Sequence, residues 1–142
     1  MTLAELAEIL HRENCSCVIF NHGVIRQCHR RGVADLYQLL TREPALLKGA
    51  LIADKVIGKG AAALMAQGGV SGVYADVAST PALELLRRAG IPVECITETP
   101  RIVNRAATGP CPVETLCAPC ATPAECVPLI ASFLKHLNEN PS

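Results

Sequence analysis

Two apolar, β-branched runs, residues 70–77 and 91–97, flank the segment Thr80-Pro81-Ala82-Leu83-Glu84-Leu85-Leu86-Arg87-Arg88-Ala89-Gly90. That segment has a capping threonine, a proline at the first helical position, basic residues in its last turn and a stop glycine, which together specify a helix. A strand, a helix and a strand in succession close through a right-handed crossover, so the two strands lie parallel and adjacent. Parallel strands need cover on both faces, and the chain is thereby committed to a layered α/β domain.

The remaining elements follow from caps and periodicity. Thr2 and Glu5 form a capping box ahead of Leu3, Leu6, Ala7 and Leu10, which recur at helical spacing. Residues 17–20 and 24–27 read as short strands joined by a three-residue loop, Asn21-His22-Gly23, in which Gly23 takes a positive φ. Asp35 is placed to cap a brief helix over residues 36–40, and Pro44 opens a long central helix expected to run to about Ala66 and to end at Gly68 and Gly69. Ile102 and Val103 suggest one more edge strand, and residues 106–122 read as a Cys/Pro-rich irregular loop. Thr122 and Glu125 make a second capping box before an amphipathic helix carrying Val127, Ile130, Phe133 and Leu134. The expectation is a single three-layer α/β/α domain over residues 1–142 with a mixed sheet of four to five strands.

Composition narrows the function classes. With 13 basic and 13 acidic side chains, no Trp, two Phe and two Tyr, the chain lacks both the basic footprint and the stacking platform of general nucleic-acid binding. Its first residues are acidic and amphipathic rather than signal-like, and no apolar run approaches a membrane span, so a cytoplasmic protein is expected. Eight cysteines in such a compartment point to reduced, metal-binding or reactive thiols rather than a disulfide framework.

Residues 50–69 are almost wholly apolar and small, interrupted by Asp54, Lys55, Lys59 and Gln67. An ionised group on such a spine costs several kcal/mol unless paired or hydrated, so these charges mark a candidate site. Read as one helix, the segment sets Lys55 and Lys59 four residues apart, which is unfavourable unless an anion lies between them. One reading is therefore a small anionic ligand held by two ammonium groups, with Asp54 as acid or base beside it. The other lets both lysines reach solvent while Asp54 satisfies backbone amides.

The order of elements, with Ile52-Ala53-Asp54 and Pro81-Ala82-Leu83-Glu84-Leu85 as its motif positions, resembles the cytidine deaminase-like fold. In zinc deaminases those positions open two helices as His/Cys-Ala-Glu and Pro-Cys-x-x-Cys. The resemblance sets Asp54 in the place of the catalytic glutamate, whereas Ile52, Ala82 and Leu85 offer no zinc ligand. No zinc of the deaminase type is expected there, and zinc-dependent deamination is excluded. A closer resemblance is to an uncharacterised bacterial family of domains of unknown function on this scaffold. It is carried by Ala53-Asp54-Lys55-Val56-Ile57-Gly58-Lys59, Tyr74-Ala75-Asp76, Asn104-Arg105 and Thr108-Gly109-Pro110-Cys111-Pro112-Val113-Glu114. The resemblance is specific for fold and names no reaction; the candidate catalytic residues are Asp54, Lys55 and Cys111, and the candidate ligand-binding residues are Lys59, Asn104, Arg105 and Glu114.

Cys111, between two prolines, is a rigid thiol that serves as a nucleophile if cations lower its pKa, or as a small buried hydrophobe if they do not. Cys111, Cys117, Cys120 and Cys126 offer four sulfurs with one Cys-x-x-Cys pair, suited to Zn²⁺ or an Fe–S cluster, or to a redox pair at Cys117 and Cys120. Arg26, His29, Arg30 and Arg31 read as a solvated basic loop, and His11, His22 and His136 as solvated. Two further alternatives stand beside ligand binding: a metal or redox module, and a regulatory domain without chemistry. Sparse surface charge also allows a homo-oligomer.

Overall fold

The computed structural model describes residues 1–30, 33–103 and 111–139. Helix α1 (Leu3–Arg12) starts at the Thr2 capping box: Thr2 Oγ1 accepts the Glu5 N–H at 3.1 Å, and Glu5 Oε1 accepts the Thr2 N–H at 3.2 Å. Strands β1 (Cys17–Asn21) and β2 (Val24–Cys28) follow as an antiparallel hairpin. Its loop is two residues rather than the expected three. Asn21 pairs with Val24, and His22 and Gly23 both have positive φ, 51° and 75°, the twist that matches a two-residue hairpin to its strands.

Helices α2 (Ala34–Arg42) and α3 (Pro44–Leu47) lead into the largest departure from the sequence reading. The expected helix from Pro44 to about Ala66 is three elements: α3, strand β3 (Leu51–Ile57) and helix α4 (Lys59–Gly68). Asp35 does not cap α2; Val33 occupies that position, and the Asp35 carboxylate accepts the Arg30 backbone N–H at 3.2 Å and its Nε at 2.5 Å.

Strand β4 (Gly72–Ser79), helix α5 (Thr80–Arg88) and strand β5 (Val93–Thr99) form the crossover unit that the sequence specified. Ser79 rather than Thr80 caps α5, its Oγ accepting the Ala82 N–H at 3.2 Å. Beyond β5, Ile102 and Val103 make no strand of the sheet. Part of the expected 106–122 loop is a short helix, α6 (Pro112–Cys117); residues 106–110 lie outside the described residues. Helix α7 (Pro123–Glu139) closes the fold.

The sheet has five strands in the order β2-β1-β3-β4-β5, with β1 antiparallel to both neighbours and β3, β4 and β5 parallel. On one face α1 buries Leu6 and Leu10 against Val18, Ala53 and Tyr74. Each such leucine contributes roughly 1.5–3 kcal/mol relative to exposure. The other face carries the larger core, from Ile19, Ile52 and Val73 through the alanines of α4 to Leu83, Leu86 and Ile130. The result is the three-layer α/β/α arrangement, with α4 packed between α5 and α7. Among the described residues no helix is long and apolar enough to cross a membrane.

Helix α4 sits close to α6 because Gly60 has no side chain. A Cβ there would stand 2.4 Å from Val113 Cγ1, well inside contact distance.

Candidate functional site

Strands β2, β3, β4 and β5 all run the same way, so their last residues, Cys28, Ile57, Ser79 and Thr99, lie along one edge of the sheet. Open α/β sheets place ligands at this edge. Here it is organised by Glu114 of α6, a carboxylate only 6 % exposed. It accepts the Lys59 backbone N–H at 2.5 Å, the Ser79 hydroxyl at 2.9 Å and the Ile102 N–H at 2.9 Å. Gly58, the N-cap of α4, has no side chain with which to cap the helix, and the Glu114 charge supplies both the acceptor and a favourable partner for the helix dipole. Glu114, expected to bind ligand, is thus engaged by donors of the protein itself.

Lys59 extends from the first position of α4 and donates its ammonium to the carbonyls of Ala118 at 2.9 Å and Cys120 at 2.7 Å. It borders a cleft of about 210 Å³ whose walls include Pro81, Glu84, Arg88, Cys120 and Pro123. Two carbonyls fix the ammonium in place while it remains only partly buried.

Asp54 lies elsewhere. It is 8 % exposed, opposite Cys17 of β1, which in turn stands opposite Cys28 of β2. Burial pushes the Asp54 carboxyl up to about 7, against the opposing pull of the Val56 and Lys55 amides and the Cys17 thiol. Cys17 and Cys28 stand opposite each other across the hairpin, and their interaction holds the Cys17 thiol well above its ordinary value and lowers that of Cys28. Cys28 lines a second cleft, about 290 Å³, with Arg26, His29, Arg30, Asp35 and Glu43. Arg26 reaches both Glu43 oxygens at 3.1 and 3.3 Å, and Arg30 bonds Asp35 and Gln38, so these two arginines of the basic run are paired rather than merely solvated. Sequence reasoning passed over Cys17, Cys28 and Asp35. A cysteine at each end of a hairpin was the available signal, since equal distance from a turn places two residues opposite each other.

Because β3 is a strand, Lys55 and Lys59 do not share a helix face. Lys55 donates to Asn14 Oδ1 at 2.6 Å, whereas Lys59 donates to the carbonyls of Ala118 and Cys120, so the two ammonium groups have separate partners. The alignment of Ile52-Ala53-Asp54 with a helix start fails for the same reason. Pro81 to Leu85 do open α5, where Ala82 and Leu85 are buried apolar side chains without donors for a metal.

Cys111 caps α6 through its backbone. Its N–H donates to Ile102 O at 2.8 Å and its carbonyl accepts the Thr115 N–H at 3.0 Å, which brings it to neither Asp54 nor Lys55. Asn104 and Arg105 lie outside the described residues, as does Arg31. Cys126 lies near both Cys117 and Cys120, and burial pushes the thiols of Cys117 and Cys126 up. That opposes the thiolate form a metal requires. Among the described residues, no group of three or more His, Cys, Asp or Glu side chains is arranged to hold a metal ion. His11 is exposed, as expected, and also approaches Asp76 at 2.8 Å, and Tyr74 donates its hydroxyl to the same carboxylate at 2.6 Å.

The family model described as TM1506, domain of unknown function (DUF1893), matches residues 5–134. The chain belongs to the DUF1893 family. A crystal structure of a DUF1893 family protein (TM1506) from Thermotoga maritima superimposes with a TM-score of 0.84 at 24% sequence identity, covering 92% of this chain and 88% of that one. The likeness establishes a shared fold for the DUF1893 domain. No curated protein matches the chain.

Proposed function

We propose that this DUF1893 domain is a cytidine deaminase-like scaffold that works without zinc and binds a small anionic ligand in the Lys59 cleft. The scaffold reading is supported by the sequence of elements and by a single antiparallel strand set second in the sheet. The ligand reading rests chiefly on one observation: the Lys59 ammonium, held by the Ala118 and Cys120 carbonyls, borders a cleft that Arg88 also lines. An ammonium has three donors, and two are engaged here, which leaves one for a ligand oxygen. Arg88 adds a second cation, and Glu84 on the same wall favours a ligand that also carries a hydroxyl or amino group. The cleft is smaller than a typical pocket for a drug-sized molecule, which suits a phosphate or carboxylate on a short body.

Asp54 and Cys111 stand outside this cleft, so the proposed function is binding and assigns neither an acid–base nor a nucleophilic role within it. Calorimetric titration with inorganic phosphate and with a sugar phosphate tests the idea. Lys59→Met and Arg88→Ala should each weaken binding by about tenfold or more, the loss of one charge-assisted contact. Equal affinity in wild type and both variants would remove the reading. The alternative of a metal or redox module draws on the nearness of Cys126 to Cys117 and Cys120, and metal analysis of anaerobically purified protein tests it.

A further inference from the structure

The second cleft carries a different chemistry. Cys17 and Cys28 are directly opposed residues of antiparallel strands β1 and β2, and both are free thiols. Directly opposed residues have Cα atoms roughly 4.5–5.5 Å apart, within the range a disulfide bridges without backbone movement. On the other side of Cys17, in register on β3, stands the buried carboxyl of Asp54. Only Cys28 of the three lines the cleft. A sulfur in the cleft wall, 6 % exposed, a second sulfur one strand behind it and a carboxyl behind that form a line across three strands.

From this line we infer that Cys28 and Cys17 form a dithiol site that reduces small zwitterionic disulfides, with Asp54 as the internal proton acceptor. The cleft suits such a substrate because it presents both signs in the ion pairs Arg26–Glu43 and Arg30–Asp35, whose partners a carboxylate and an ammonium of the substrate would replace. The Cys28 thiolate attacks one sulfur of the disulfide RS–SR′. The S–S bond breaks, R′S⁻ departs and takes a proton from solvent, and Cys28 is left in a mixed disulfide with RS. Cys17 then gives its proton to the Asp54 carboxylate, and its sulfur attacks Cys28 Sγ. The bond to RS breaks, RS⁻ leaves into the cleft and takes a proton from solvent, and Asp54 later returns its proton to solvent. The two protein thiols are oxidised to one disulfide, and the substrate disulfide is reduced to two thiols.

The Cys17–Asp54 contact makes the second step dependent on pH. The groups that bear on it are Asp54 of β3, Asp35 of α2, Arg26 of β2 and, towards Asp54, Asp76 of β4. The Cys17 thiol beside it lowers the Cys28 thiol, which is consistent with Cys28 as the attacking sulfur.

The test is incubation of the reduced, full-length protein with oxidised glutathione, followed by peptide mapping and quantitation of released thiol. The expected result is two thiols released per disulfide consumed and a Cys17–Cys28 link formed ahead of modification at any other cysteine. Cys17→Ser should accumulate a stable mixed disulfide on Cys28. Asp54→Asn should leave the first step unchanged and slow the second by about tenfold or more at pH 8, the contribution expected of a positioned base. An uncharged disulfide, hydroxyethyl disulfide, should react more slowly than the charged one. Modification spread evenly over the exposed thiols, or a Cys28 no faster than Cys95 or Cys120 in the wild-type protein, overturns the inference even if a variant fails to fold.

Discussion

Glu114 accepts the backbone N–H of Lys59 at 2.5 Å, so a carboxylate from α6 caps a helix that begins 55 residues earlier. Because the same side chain also takes the Ser79 hydroxyl and the Ile102 N–H, three chain segments depend on one residue. Glu114→Ala leaves three donors at this buried junction without their acceptor and should destabilise the fold by roughly 2–4 kcal/mol. Glu114→Gln, which keeps one acceptor oxygen, should cost less. Urea denaturation of the two variants gives the comparison, and equal loss in both would show that the acceptor set is not what matters.

Asp54 predicts an unusual pH dependence. Its carboxyl titrates near 7 in the folded protein, against an ordinary value of 3.8, so the folded state holds the proton more tightly. The stabilisation is complete below about pH 4 and is lost as pH rises through 7. A shift of this size corresponds to roughly 4 kcal/mol. Asp54→Asn, which stays neutral throughout, should flatten this slope and raise the melting temperature at pH 8 relative to wild type. A lower melting temperature at pH 8 in the variant would mean that the ionised carboxylate is well solvated or paired.

Gly60 predicts a rescue. Gly60→Ala places a methyl group against Val113 Cγ1 and should cost roughly 1–3 kcal/mol by overpacking, despite the better helix propensity of alanine. Adding Val113→Ala should recover part of that loss. Chemical denaturation of the two single variants and the double variant measures the coupling, and strict additivity would argue against the contact.

Asn21 ties the hairpin to α3 by donating Nδ2 to the carbonyls of Leu46 at 3.0 Å and Lys48 at 2.8 Å. Asn21→Asp would set a carboxylate against these carbonyls, so it should be more destabilising than Asn21→Ala at pH 7. Protonation at low pH should narrow the gap. Thermal melts of both variants at pH 4 and pH 7 check the order.

The crossover unit was legible because Thr80, Pro81, Arg87, Arg88 and Gly90 punctuate it locally. The segment around Asp54 was not. Leu51 to Ile57 is a central strand, with Ile52 and Ala53 buried in the two different cores, and a strand covered on both faces loses the polar alternation that marks strands elsewhere. Its alanines then merge with those of α4 into what reads as one helix. Gly58 was the remaining clue, a break between a β-branched run and an alanine-rich one. The candidate sites suffered more, because they depend on which strands become neighbours. Cys17 and Cys28 could be matched across their own hairpin, but the place of Asp54 beside Cys17 follows from sheet order, which no local signal encodes.

The placement of α1 has a consequence for how the chain folds. Leu6 and Leu10 pack on Val18 of β1 and also on Ala53 and Tyr74, so the surface the helix docks on is complete only once β3 and β4 have paired with β1. The long loop this closes carries an entropic cost paid before the contact is made, which makes docking of α1 a late step. Until then the strand surface bearing Val18, Ala53 and Tyr74 is open to other chains, and nascent or heat-stressed protein should aggregate through that face first.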